Sequence, residues 1–128
     1  MFLDVNGLKK VNDSLGHDYG DQLLIIVSKI ILDNVRSDNI LLRYGGDEFI
    51  LVIKETSIEK AKIIWQRINA AFKDVNENED LLFNISVSHG IVEYSSNENT
   101  SLNDLIKKAD KKMYEEKKRL NKSLSLLK

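Results

Sequence analysis

The sequence predicts an α+β domain built in two layers, a mostly antiparallel sheet with helices packed on one face and the other face left for a partner or substrate. Three observations predict it. Apolar residues recur at helical spacing in three separate segments. Between them lie short runs rich in Ile, Leu, Val and Phe, two of which flank a diglycine as a hairpin would. The chain of 128 residues, 42% hydrophobic, has no Pro and no low-complexity tract to mark an internal boundary, so residues 1–128 read as one domain around one core.

In chain order, Phe2-Leu3-Asp4-Val5 reads as the tail of a buried strand. Strands usually run ~5–6 residues, so its first half is expected upstream of Met1. Gly7, Leu8 and Lys9 follow as the start of a short helix. Leu23, Leu24, Val27, Ile30, Ile31 and Val35 predict a helix from Asp21 to Val35. Asn39–Tyr44 and Glu48–Ile53 read as two strands, with Gly45 and Gly46 expected to supply the positive φ of a tight hairpin turn. Thr56 with Glu59 has the form of a capping box, and Ala61, Ile64, Trp65, Ile68 and Phe72 extend an amphipathic helix to about Lys73. Asn76–Asp80 reads as a polar loop, and Leu81–Tyr94 as one bent strand or two, interrupted at Gly90. Ser101 with Asp104 opens a last helix carrying Leu102, Leu105, Ile106, Ala109 and Met113 on one side.

Composition excludes several chemistries. No segment approaches a membrane span, and Met1–Lys10 lacks the layout of a signal peptide, so a soluble, cytoplasmic domain is expected, whatever anchors the parent protein. Without cysteine there are no disulfides, thiolate zinc sites or cysteine nucleophiles, and any metal is expected to sit on oxygen ligands. The net charge of −1 hides a basic end: residues 107–128 carry nine basic side chains against three acidic. A solvated helix face is the plainer reading of that run, and a cationic lid over phosphates the sharper one. No nucleic-acid partner is expected, because the pI is about 6.1 and aromatics do not interleave the lysines.

Asp4 ends the first strand and Asp47-Glu48 follow the diglycine, so three carboxylates are expected to converge at one sheet edge. Two unit charges ~4 Å apart at an effective dielectric of ~20 repel by about 4 kcal/mol, a reason to expect magnesium (or manganese) between them. An acidic turn near a strand end is the plainer alternative. Gly7, Leu8 and Lys9 have the makings of a phosphate site, backbone N–H groups at a helix start with a point charge beside them, although the same residues suit an ordinary turn. Asn12 and Asp21 flank a glycine-bounded polar stretch. Taken alone, Asp21 is expected to cap the helix after it.

Asp4-Val5-Asn6-Gly7-Leu8-Lys9-Lys10-Val11-Asn12-Asp13, Gly16-His17-Asp18-Tyr19-Gly20-Asp21 and Arg43-Tyr44-Gly45-Gly46-Asp47-Glu48-Phe49 resemble, in order and spacing, the GGDEF-domain diguanylate cyclases. Ile85–Gly90 is similar to the family's late strand, and Ala109-Asp110, Met113-Tyr114 and Lys117 to its last helix. The resemblance runs from Phe2 to about Lys118. It implies a ferredoxin-like palm fold related to nucleotidyl cyclases, and condensation of two GTP into cyclic di-GMP with loss of pyrophosphate. By position it implies Asp4 and Asp47 as metal ligands with the Val5 carbonyl, and Glu48 as the second acid of the motif, near the metals or activating the ribose hydroxyl. It further implies Asn12 and Asp21 as the guanine-reading pair, and Gly7, Leu8, Lys9 and Lys117 as phosphate contacts. A homodimer is expected, since one domain holding one GTP cannot close the ring, and a sensor domain is expected upstream.

The chain departs from the pattern in places. Asn6 stands where the family usually has an acid. The product-binding inhibitory site, Arg-x-x-Asp, reads Arg36 and Asn39, which puts feedback in doubt, with Asp38 beside it. Leu120-Asn121-Lys122 replaces Gly-Arg-Asn, leaving Arg119 or Lys122 to supply the missing contact. The family's first helix and half-strand are absent, so weak turnover is expected of the chain as given. The alternative function is a binding module that holds GTP or cyclic di-GMP and regulates a neighbour without turnover.

Overall fold

The computed structural model of the chain describes residues 1–96, 99–121 and 126–128. The elements are β1 (Phe2–Val5), α1 (Leu8–Leu15), α2 (His17–Asp33), β2 (Ile40–Arg43), β3 (Glu48–Val52), α3 (Ile58–Asn78), β4 (Val87–Gly90) and α4 (Leu102–Asn121). The four strands form one antiparallel sheet in the order β2-β3-β1-β4. This is the expected α+β fold. Among the described residues no helix is long and apolar enough to cross a membrane.

The pleat of β1 explains where the helices go. Leu3 and Val5 point into the main core with Val11, Leu23, Val27, Ile31, Trp65, Ile68 and Phe72 from α1, α2 and α3. Phe2 points the other way, against Ala109 and Met113 of α4. Helices therefore cover both faces, not one as expected. The last helix carries its own apolar stripe, which needs a sheet surface of its own. It settles over β1 and β4, where Gly90 lets it touch bare backbone: a Cβ there would lie 2.0 Å from the Ala109 carbonyl oxygen. The β2–β3 half of that face stays open, leaving Ile40, Leu42 and Val52 exposed.

Several boundaries differ from the sequence reading. α2 starts at His17 rather than Asp21, because Gly16, at φ 98°, both ends α1 and admits α2. Asp21 thus sits inside a helix and caps nothing. Gly45 and Gly46 have no positive φ; the loop between Arg43 and Glu48 is four residues long and needs no mirror-image turn. Instead the Arg43 guanidinium donates to the Gly45 and Gly46 carbonyls. The cap of α3 is Ser57, whose Oγ accepts from Lys60 N at 3.3 Å, while Thr56 donates back to the Lys54 carbonyl. α3 continues to Asn78 because Asn76, read as loop, grips the backbone of Ile85 with both ends of its amide, at 2.8 and 2.6 Å. Only Val87–Gly90 of the long strand-like segment joins the sheet. The Ser101 cap is as expected, its Oγ accepting from Asp104 N at 3.1 Å.

Candidate functional site

Asp4 and Glu48 are direct partners across the β1–β3 ladder, and Asp47 is the residue before Glu48. One oxygen from each of the three carboxylates lies within 4.8 Å of the others. The expected convergence therefore exists, but at the end of the two central strands rather than at a lateral edge of the sheet. Backbone bonds fix the geometry. Val5 N donates to the Asp47 carbonyl at 2.8 Å, and Tyr44 N and Gly45 N both donate to the Glu48 carbonyl. Gly45 also leaves room for the Glu48 carboxylate, which a Cβ there would meet at 3.2 Å.

The cost of this arrangement is visible in the acids. Burial, together with the charge of Asp47, pushes the Asp4 carboxyl up to about 6 against the opposing pull of Lys117. Glu48 is raised too, by burial first and then by Asp47 and by Asp110 on α4. Asp4 is buried; its Oδ2 accepts from Lys117 Nζ at 2.9 Å, whereas no donor among the described residues reaches Oδ1. A buried oxygen that no donor among the described residues reaches, beside two further carboxylates, suits a hard divalent cation, and the residues would fit magnesium or manganese. Asp4, Asp47 and the Val5 carbonyl are the groups that would hold it.

Gly7 sits at the start of α1 in the left-handed region, φ 75°, so the chain turns sharply from β1 into a helix whose first N–H groups lack helical partners. Lys9 on the first turn is exposed. A Cβ on Gly7 would collide with Leu126, whose backbone carbonyl is bound by Asn84 N, so the Leu126 side chain packs on this turn. Asn12 of α1 lies against Gly20 of α2, where a Cβ would be 1.7 Å from the Asn12 Oδ1. That contact brings Asn12 beside the residue preceding Asp21, so the two expected guanine readers are neighbours on paired helices.

Other residues of the expected set have partners within the chain. Lys117, expected on phosphate, is bound to Asp4. Asn39 turns inward and accepts from Lys54 N at 3.2 Å, tying β2 to the end of β3, while Arg36 and Asp38 remain exposed with 3.9 Å between Nε and Oδ1. Asn6 is buried and donates to the Ser86 and Ser88 hydroxyls, both at 3.0 Å; an aspartate could not donate there. Arg119 lies 3.9 Å from Glu116, and Lys122 falls outside the described residues.

Sequence reasoning missed two features. His89 stacks on Trp65 with ring centroids 4.3 Å apart and brings its Nδ1 within 2.7 Å of Glu116, the residue before Lys117. No linear signal joins those residues. A groove of about 870 Å³ lies toward the opposite end of β1 from the acids, between Phe2, Val52, Ile58, Tyr94, Leu102 and Ile106. Its lining is mostly apolar and includes none of Asp4, Asp47 and Glu48.

The family model described as "Diguanylate cyclase, GGDEF domain" matches residues 1–123. The chain is 40% identical over 125 residues to the signaling protein YkoW of Bacillus subtilis, covering 96% of this chain and 15% of that protein. It is 34% identical over 123 residues to diguanylate cyclase DosC of Escherichia coli, covering 93% of this chain and 26% of that one. It therefore spans about a quarter or less of these relatives. The active GGEEF domain of a diguanylate cyclase from Vibrio cholerae superposes with a TM-score of 0.81 at 25% identity, over 93% of this chain and 75% of that one.

Proposed function

The chain belongs to the GGDEF-domain family of diguanylate cyclases, and from that premise we propose that it condenses two molecules of GTP into cyclic di-GMP with release of pyrophosphate. The observation that carries the proposal is the meeting of Asp4, Asp47 and Glu48 within 4.8 Å, with a buried Asp4 oxygen that has no donor among the described residues.

Asp4, Asp47 and the Val5 carbonyl would hold magnesium or manganese, which would supply a positive centre against the charge on the phosphates. Asn12 and Asp21 read guanine: an amide oxygen and a carboxylate accept from its N1–H and N2–H, and the Asn12 amide donates to O6, a pattern adenine lacks. The first N–H groups of α1, at Leu8 and Lys9, orient the phosphates together with the Lys9 ammonium. Glu48, made more basic by burial and by Asp47, accepts the proton of the attacking ribose 3′-hydroxyl. Ring closure requires two copies facing each other, each presenting one GTP. Signal input comes from a sensor domain elsewhere in the parent protein, and Asn39, committed to Lys54, weakens product feedback at the Arg36 position.

The test is product formation. The chain at high concentration with GTP and magnesium is expected to yield cyclic di-GMP, slowly, at a rate per molecule that falls on dilution, while Asp47→Asn yields none. GTP-dependent stabilisation without product under these conditions would instead establish a binding module, and equal product from Asp47→Asn would overturn the assignment of the site.

A further inference from the structure

Lys117 Nζ lies 2.9 Å from Asp4 Oδ2, with side chains 31% and 7% exposed respectively. This is a close, largely shielded pair on the same face as the carboxylate cluster. Lys117 also favours the charged form of Glu48, so one ammonium serves two of the clustered acids. A divalent cation on Asp4 would stand a few ångströms from that ammonium, and two positive charges so close in a half-buried site exclude each other.

The helix that carries Lys117 has little freedom to withdraw. Its Ala109 and Met113 backbone lies directly on Gly90. Glu116 receives both the backbone N–H of His89, at 3.2 Å, and lies 2.7 Å from the His89 Nδ1, so α4 is fastened to the outer strand one residue before Lys117. The mobile part is the lysine side chain, with four rotatable bonds and an ammonium that can change partners without moving the helix.

We propose that Lys117 is an exchangeable counter-ion: it neutralises Asp4 while the site is free of metal, and leaves Asp4 for the phosphates of the nucleotide when a divalent cation loads. The inference rests on the reading of the carboxylates as a metal site and adds an order to it. Metal alone must displace Lys117 with no new anion to receive it, and therefore binds weakly. Metal arriving with a triphosphate gives the ammonium a new partner, so each improves the binding of the other, as linkage requires. The pair also spares the metal-free fold an uncompensated buried carboxylate.

The experiment is binding of Mn2+ alone, without nucleotide, at pH 8, to the unsubstituted chain, Lys117→Met, Lys117→Arg and Asp47→Asn. Lys117→Met is expected to bind Mn2+ about tenfold more tightly than the unsubstituted chain, and Lys117→Arg to bind as the unsubstituted chain does. Equal or weaker binding by Lys117→Met overturns the proposal. Should Lys117→Met fail to fold, the unsubstituted chain provides the measurement: the Lys117 ammonium, held on a shielded carboxylate, should give a slowly exchanging NMR signal that saturating Mg2+ removes, and persistence of the signal sinks the idea. If the unsubstituted chain takes no Mn2+, or Asp47→Asn takes it equally well, the metal-site reading fails and this inference with it.

Discussion

Asp4 on β1 and Glu48 on β3 stand opposite each other in the ladder, so two acids are held side by side by the same backbone pairing that builds the sheet. Strand pairing thereby fixes positions that electrostatics alone would separate, and both acids are raised by burial and by Asp47.

Asp47→Asn should therefore abolish turnover without lowering stability. The backbone bond from Val5 N to the Asp47 carbonyl survives the substitution, while a charge that raises both Asp4 and Glu48 is removed. The metal-free melting temperature is expected to equal or exceed that of the unsubstituted chain. A drop of more than roughly 5 °C would make Asp47 a structural residue.

The pH dependence has a definite sign. Asp4 has a folded pKa of about 6, above its ordinary 3.8. Its contribution to stability is thus complete below about pH 4 and is lost as pH rises through about 6, because the unfolded chain gives up the proton first. The melting temperature of Asp4→Asn relative to the unsubstituted chain, both without metal, should rise between pH 4 and pH 7 by roughly 5 °C. A flat difference would contradict the raised carboxyl.

Gly20→Ala tests the guanine slot. A Cβ there would lie 1.7 Å from Asn12 Oδ1, so Asn12 must rotate away. GTP affinity should fall about tenfold or more, with a stability loss of about 1–3 kcal/mol. Unchanged GTP affinity, by calorimetry, would remove Asn12 from the site.

Gly90→Ala tests the seating of α4. The clash is with the Ala109 carbonyl, 2.0 Å from the new Cβ, and backbone cannot rotate aside as a side chain can. Denaturant unfolding should show a loss of at least about 2 kcal/mol. A neutral result would mean that α4 can lift off the sheet, and that Lys117 is not held near Asp4.

Much of the candidate site was legible because its residues lie in short, local patterns. Gly7 after β1, the acids after the diglycine, and Asn12 and Asp21 around a glycine-bounded stretch keep their spacing in any fold that pairs β1 with β3. Element boundaries were less legible where a single side chain decides them. Asn76 and Ser57 had the composition of loop or near-cap, and which backbone group each binds depends on a partner brought in by the fold. The diglycine misled for a related reason, since the turn's conformation followed from loop length and the Arg43 clamp, not from glycine alone.

The sequence by itself determined the alternating and helical periodicities, hence an α+β domain, and the chemical types of the acids, amide and lysines available for a reaction. Only the tertiary structure decided that α4 takes the second sheet face, that Lys117 meets Asp4 across 113 residues of chain, and that His89 and Glu116 fasten the helix between them. Periodicity is a property of neighbours along the chain, whereas the partner of a charge is chosen by whichever distant surface burial brings within a few ångströms.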